Sequence, residues 1–414
     1  MLQSIFSPAD ILLPNWEKNV CPETWSVIAC DQFTSSPEYW EQVRTLTQNA
    51  PSSLNLILPE IYLHQPDMER KIQEIHQTMQ KYWEDDLFQV YPDALVYTER
   101  VQSNGVLRNG VVGKIDLEAY DYHTGSTSPV RATEATVLER IPPRMKVREN
   151  ALLESPHIMI LINDEKKSVI EPCETQKTEM RKLYDTELML GGGHLTGYLM
   201  SEEQQKAFLS RLDVLLASAG NLKFAMGDGN HSLATAKACY EKLKQEHPEQ
   251  DFSDHPARYA LVELVNLHSP ALEFEAIHRI ITETSPETLM QYLTETLELS
   301  ENAADAEQAF IVMQKNQEKK YYIHKPSASL TVGSLQNALD AYLQHHDGKI
   351  DYIHGTQTLA QLAEKSGNIG FVLPDMDKKT LFSGVEKDGV LPRKTFSTGH
   401  AEDKRYYMEC RKIR

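Results

Sequence analysis

The chain has 414 residues, 41% hydrophobic and 25% charged, proportions that fit a soluble globular protein and exclude collagen-like, disordered and disulfide-scaffold classes. Its longest apolar stretches, residues 158–162 and 214–217, fall far short of the roughly 20 residues a membrane-spanning helix needs. Lys plus Arg total 42 against 60 Asp plus Glu, and the net charge of −18 opposes long-range attraction to nucleic acid or anionic lipid, leaving room only for a local basic pocket.

The first ten residues carry no basic start and reach Asp10, so no secretory signal is read there and a cytosolic location is expected. After an irregular, Pro-rich first sixty residues, the pattern predicts a polar helix over 66–84 and two strands, 94–101 and 111–117, joined through Asn104-Gly105 and Asn109-Gly110. Residues 132–140 are expected to form one short helix stopped by Pro142-Pro143, with Arg131 and Glu134 on nearly one face. A strand over 157–162 is expected to pair with 168–170. Gly191-Gly192-Gly193-His194 reads as a flexible turn after a helical stretch. Ser201 with Gln204 has capping-box spacing, apolar Phe208, Leu212 and Leu215 follow, and Gly220 is placed for a C-terminal cap. Next come a strand over 222–226, the loop 227–232, and a helix with Leu233, Ala236, Tyr240 and Leu243 on its apolar face.

Strands over 258–267 and 272–281 precede a helix opened by Ser285 and Pro286. A hairpin over 309–323, a helix over 335–343, a strand over 349–353, a helix over 356–365 and a strand over 369–373 follow. About 150 residues per domain predicts two or three domains, and the soft boundary falls near Thr282: a first region 1–281 and an α+β domain 282–414 with a basic tail. The class expected is mixed α/β. Five cysteines, at 21, 30, 173, 239 and 410, with no C-x-x-C pair, fit reduced thiols.

Three windows can carry chemistry. In the first, Gly227-Asp228-Gly229-Asn230-His231-Ser232 between a strand and a helix would aim backbone N–H groups and the positive helix end at one point, as a phosphate needs, although neither a Walker nor a Rossmann spacing is present. The plainer alternative is a turn at Asp228-Gly229 with Asn230 or Ser232 capping the helix. In the second, residues 130–148, the cations Arg131, Arg140, Arg144, Lys146 and Arg148 beside Glu134 and Glu139 would make an anion pocket with a carboxylate base, against an ordinary solvated helix face. In the third, Arg393, Lys394, His400, Lys404 and Arg405 form a basic cluster able to close over a phosphorylated ligand, or else an exposed tail. Isolated His157, His278 and His354 read as structural.

Five phrases carry a resemblance over nearly the whole chain: residues 6–14, residues 29–40 (Ala29-Cys30-Asp31-Gln32-Phe33 and onward), the 131–148 run, Gly227-Asp228-Gly229-Asn230-His231-Ser232, and Pro392-Arg393-Lys394-Thr395-Phe396-Ser397. On these the chain is identified as resembling the domain-of-unknown-function 1015 family, itself similar to the ParB and sulfiredoxin superfamily, which includes free-serine kinases using ADP or ATP. The resemblance implies a ParB/sulfiredoxin-like core at about 92–281 and phosphoryl transfer between a nucleotide and serine or a related small hydroxy amino acid, its direction left open. It also implies Glu134 as base, His231 and Asp228 as catalytic residues, and Asp228 as a ligand of Mg²⁺. The expected phosphate and nucleotide contacts are Gly227, Gly229, Asn230, Ser232, Arg131, Arg144, Arg148, Arg393 and Lys394. The kinase-like relatives carry His and Arg where this chain has Asn230 and Ser232, and Thr133 also departs from their pattern. A sulfiredoxin-type cysteine has no counterpart in 227–232. The competing reading is a nucleotide-binding switch without turnover; neither DNA nor a membrane is an expected partner.

Overall fold

The structure, a computed structural model, describes residues 4–315, 317–392 and 394–414. The chain divides into two compact units: the first runs up to Ala132 and adds Thr136–Leu272 and Gly399–Arg414, and the second holds Thr133–Ala135 and Glu273–Thr398. The class is mixed α/β, as expected.

The first unit is built on a ten-stranded sheet in the order Arg181–Leu188, Gly193–Leu199, Val96–Val101, Leu107–Asp116, Tyr259–Asn266, Met159–Ile162, Phe224–Asp228, Val130–Arg131 and Tyr120–Asp121, with Phe6–Ser7 added beside Leu107–Asp116. Met159–Ile162 runs parallel to Tyr259–Asn266 and antiparallel to Phe224–Asp228, so the sheet changes direction where the candidate loop leaves it. All four residues of Met159–Ile162 are buried, which accounts for their unbroken apolar run in place of an alternating one. Another part of this unit's core gathers Trp25, Trp40, Ile72, Ile75 and Met79 with Tyr406, Tyr407 and Met408. The chain end contributes because Tyr406–Tyr407 pairs with Val27–Ile28, and Arg411–Lys412 with Leu153–Glu154.

The second unit has a six-stranded antiparallel sheet in the order Leu299–Ser300, Gln317–Ile323, Gln308–Gln314, Ile369–Val372, His278–Thr282 and Lys349–Ile353. Helices Pro286–Leu297 and Thr331–Leu343 cover it through Leu289, Leu293, Leu335 and Leu339, which pack with Phe310 and Phe371. Ser285 caps the first of these by accepting the Thr288 N–H at 3.3 Å. His278–Thr282, placed before the expected boundary, belongs to this unit because its ladder partners are Lys349–Ile353 and Ile369–Val372.

Several local expectations are corrected. Residues 132–140 are not a helix: Val130–Arg131 is a strand, Glu134 makes a bridge to Leu391, and only Leu138–Arg140 turns, as a 3-10 helix. Pro142 and Pro143 do not stop a helix; they lie in the first turn of Ile141–Arg148, where a missing N–H costs nothing because the first four N–H groups lack helical partners. Arg131 and Glu134 therefore share no helix face. The predicted 168–170 strand is absent, since the Asp164 carboxylate accepts the Ser168 and Val169 N–H groups at 2.6 and 2.9 Å and curls that segment into a turn. The stretch before Gly191 is a strand, Arg181–Leu188, joined to Gly193–Leu199 by a turn that holds Leu190 at φ 55° and Gly191 at φ 77°. Asn109-Gly110 is no turn but lies inside Leu107–Asp116, where a Cβ on Gly110 would strike the Glu263 carboxylate. The helix Glu202–Ser218 has the full capping box but ends at Ala219, one residue before Gly220.

Candidate functional site

The site begins with two glycines. A Cβ at Gly227 would lie 3.0 Å from the Leu161 side chain of the neighbouring strand. Gly229 has φ +78°, left-handed, and a Cβ there would also lie 3.0 Å from the Ile158 Cα, so both conformation and space select glycine. The turn delivers the chain from Phe224–Asp228 straight into the helix Asn230–Glu246, whose first bond runs from the Leu233 N–H to the Gly229 carbonyl. Gly229 is the N-cap and among the described residues no side chain caps this end, so the plainer reading of Asn230 or Ser232 as a cap does not hold. N–H groups in a first helical turn lack carbonyl partners within their own helix and carry the positive end of its dipole.

The side chains around this turn are strongly polarised. Asp228 accepts the Gly229 N–H through Oδ1 at 2.9 Å, and its Oδ2 lies 3.4 Å from Lys404 Nζ, with both side chains mostly buried. Asn230 Oδ1 and His231 Nε2 are buried with no hydrogen-bond partner among the described residues. Burial first, then the guanidinium groups of Arg144 and Arg140, push the His231 imidazole down to about 4, so it is neutral near pH 7.

Behind Ser232 stands His157, 3% exposed. Its Nε2 lies 3.4 Å from Ser232 Oγ and 3.5 Å from Asp31 Oδ2, and its Nδ1 lies 2.7 Å from the Tyr407 hydroxyl. Burial opposes charge on this ring, yet the Asp31 carboxylate outweighs it and raises the imidazole well above its usual range; burial likewise opposes charge on Asp31, and His157 draws that carboxylate down. The pair is therefore imidazolium and carboxylate. Tyr407 itself accepts the Cys30 N–H at 3.1 Å.

Of the expected cations, Arg144 is held by Glu60 through two of its nitrogens and Arg148 by Glu154 at 2.6 Å. Arg131 is buried and donates to the Ser126 carbonyl at 3.1 Å. Glu134 and Lys394 belong to the second unit, where the Glu134 carboxylate accepts the Lys394 and Thr395 N–H groups at 3.3 and 3.1 Å; burial raises its pKa and those N–H groups hold the rise back. Arg393 lies outside the described residues. The first unit thus gathers Gly227 to Ser232 with Lys404 of the basic cluster and with three residues not expected as site members: Asp31, His157 and Tyr407. Asp31 lay in one of the recurring phrases and Lys404 in the basic cluster; nothing local distinguished His157 or Tyr407.

A metal fits poorly as a resident group. Among the described residues no three His, Cys, Asp or Glu side chains cluster to hold one, and both Asp228 oxygens are already engaged. Among them also, no helix is long and apolar enough to cross a membrane.

The fold and the loop thus define a mixed α/β protein with a glycine turn feeding an uncapped helix start beside a lysine and an imidazolium. The chain belongs to the family described as protein of unknown function (DUF1015), whose model matches residues 15–342. No curated protein matches it. Among solved structures it is similar to a free serine kinase mutant in complex with ADP, with a TM-score of 0.40 and 10% identity over 72% of this chain and 91% of that one. It is also similar to SbnI with a C-terminal truncation from Staphylococcus aureus, TM-score 0.38 and 10% identity over 70% and 83%, and to a conserved hypothetical protein from Pyrococcus furiosus, TM-score 0.35 and 11% identity over 70% and 96%.

Proposed function

We propose that the protein is a nucleotide-dependent phosphotransferase acting on free serine or a related small hydroxy amino acid, with the 227–232 loop holding phosphate. The observation that carries this reading is the uncapped start of a 17-residue helix, reached through a left-handed Gly229, with Lys404 and the His157 imidazolium beside it. Helix starts of this kind favour phosphate because donors and dipole converge. The resemblance in the loop and in the 131–148 run supports the nucleotide and the hydroxy amino acid.

In the transfer, the hydroxyl oxygen attacks the terminal phosphorus, the bond from that phosphorus to the bridging oxygen breaks, and the electron pair leaves with the nucleotide. The hydroxyl proton passes to a base. His231, neutral near pH 7, is able to hydrogen-bond the transferring group, and its lowered pKa makes it a weak proton acceptor. The role of base for Glu134, a residue of the second unit, rests on the resemblance and on its raised pKa. Mg²⁺, if it enters with the nucleotide, would supply charge neutralisation between phosphates. Asp228, the one carboxylate in the loop, is already engaged by the Gly229 N–H and Lys404.

One observation favours a second reading, a nucleotide-binding switch without turnover: Arg144 and Arg148 are engaged by Glu60 and Glu154, and position 232 offers a hydroxyl and no charge. The test is incubation of the protein with Mg²⁺, L-serine and ADP or ATP, with phosphoserine read by mass spectrometry. Phosphoserine from the wild type that vanishes in Glu134→Gln and His231→Ala supports the transferase. Nucleotide binding without phosphoserine supports the switch and overturns the transferase.

A further inference from the structure

We infer that Lys404 and His157 are the phosphate-facing cations of the 227–232 loop, standing in for the charge that position 232 lacks. This rests on the proposed reading of the loop as a phosphate site and names the residues that do the binding. Of the candidates from sequence, Arg144 is held by Glu60, Arg148 by Glu154 and Arg131 by the Ser126 carbonyl, and Arg144 and Arg140 act on the loop through their charge on His231. Among the described residues, Lys404 and His157 reach loop side chains within ion-pair or hydrogen-bond distance, at Asp228 and Ser232.

One short segment positions both. Around the turn Ala401–Asp403, the Ser103 N–H donates to Asp403 Oδ1 at 2.8 Å, Arg108 donates to the Asp403 carbonyl at 3.1 Å, and Arg100 donates to the Glu402 carbonyl at 3.0 Å. Beyond Lys404, the Ala29 N–H donates to the Arg405 carbonyl at 2.9 Å, and Tyr406–Tyr407 then pairs with Val27–Ile28. The backbone is thus clamped on both sides of Lys404, and the same pairing sets the Tyr407 hydroxyl against His157 Nδ1. The imidazole then has its second nitrogen, Nε2, toward Ser232 and Asp31.

Lys404 lies against Asp228 and also acts by charge on Asp31, which pairs with His157. The Lys404 pair, at 3.4 Å, is longer than a close ion pair such as Lys242–Glu149 at 2.6 Å. A phosphate oxygen arriving at the helix start would share these two donors with their carboxylates while the first-turn N–H groups take its remaining oxygens. The ligand class is the terminal phosphate of a nucleoside di- or triphosphate.

The experiment measures calorimetric binding of ADP and of adenosine to the full chain and to Lys404→Met, Lys404→Arg and Lys242→Met, with thermal melts verifying the fold. The expected result is that Lys404→Met weakens ADP about 10- to 100-fold, the scale of one lost charge-assisted bond, and leaves adenosine unchanged. Lys404→Arg restores most of the affinity, and Lys242→Met, at the far end of the same helix, changes nothing. For His157, whose removal takes the cationic ring from beside Asp31, the ring is left intact and its NMR signals are followed in ¹⁵N-histidine-labelled protein. They should move with ADP and stay still with adenosine. Wild type that binds ADP with neither change at Lys404→Met nor a His157 shift overturns the inference and spares the phosphate reading. Wild type that binds neither ADP nor ATP overturns the phosphate reading itself.

Discussion

The Tyr407 hydroxyl lies 2.7 Å from His157 Nδ1, joining residues 250 positions apart, and the same oxygen accepts the Cys30 N–H at 3.1 Å. A buried imidazole and a partly buried N–H therefore depend on one oxygen. Tyr407→Phe removes only that oxygen, and stranding the two partners should cost about 1–3 kcal/mol in urea unfolding. An unchanged midpoint would contradict the arrangement.

Gly229→Ala puts a Cβ into a left-handed turn and within 3.0 Å of the Ile158 backbone. The conformation alone costs roughly 1–2 kcal/mol, and the backbone must shift to admit the methyl group. Lower stability together with loss of ADP binding is expected; alanine tolerated on both counts would show that the turn is not needed as described.

Arg405 is 7% exposed and binds Glu263 at 2.9 Å, Glu409 at 2.5 Å and the Pro156 carbonyl at 2.8 Å. Arg405→Met takes the cation from the buried Glu409 and one of the two cations from Glu263, which keeps Arg108 at 3.7 Å, and breaking such a pair from one side costs about 3–5 kcal/mol. Replacing Arg405 and Glu409 together by apolar residues should be milder, since Glu263 and Arg108 still balance each other and no unpaired charge is left at 409. Equal losses for the single and double variants would refute this account of the network.

His231 gives stability a defined pH dependence. Its folded value of about 4 lies below the ordinary 6.5, so the unfolded chain binds the proton first and stability falls as pH drops from 6.5 toward 4. His157 works the other way: its value is raised, so its contribution is complete below 6.5 and is lost as pH climbs through the folded value. Asp31, held low, contributes above its ordinary 3.8 and loses that contribution only in stronger acid. Urea midpoints at pH 7 and pH 5 should therefore converge in His231→Asn relative to wild type. An identical pH slope in both proteins would rule out the buried neutral imidazole.

Much of this was legible where the determinants are local. The capping box at Ser201 and Gln204 and the Ser285-Pro286 start depend on neighbours a few residues away and appear as expected, whereas the expected 227–232 loop narrows to Gly229 between the strand Phe224–Asp228 and the helix Asn230–Glu246. The 132–140 segment was misread because proline ends a helix or begins one, and only the rest of the fold decides which. Arg181–Leu188 alternates buried and exposed residues irregularly, which hid a strand behind polar residues. Tyr407 and Lys404 are placed by pairing of the chain end with residues 27–28, and His157 by pairing of Met159–Ile162 with Phe224–Asp228, non-local events that no spacing along the sequence announces. The basic cluster around Lys404 was visible, but not that Arg405 and Arg411 are buried against Glu263 and Glu154.

The central claim, that the 227–232 turn holds the phosphate of a nucleotide, is tested most directly by hydrogen exchange of the peptide spanning it, read by mass spectrometry with ADP and with adenosine. The account predicts slower exchange of the Asn230, His231 and Ser232 amides with ADP and little change with adenosine. ADP that binds while these amides exchange as in the free protein would contradict it.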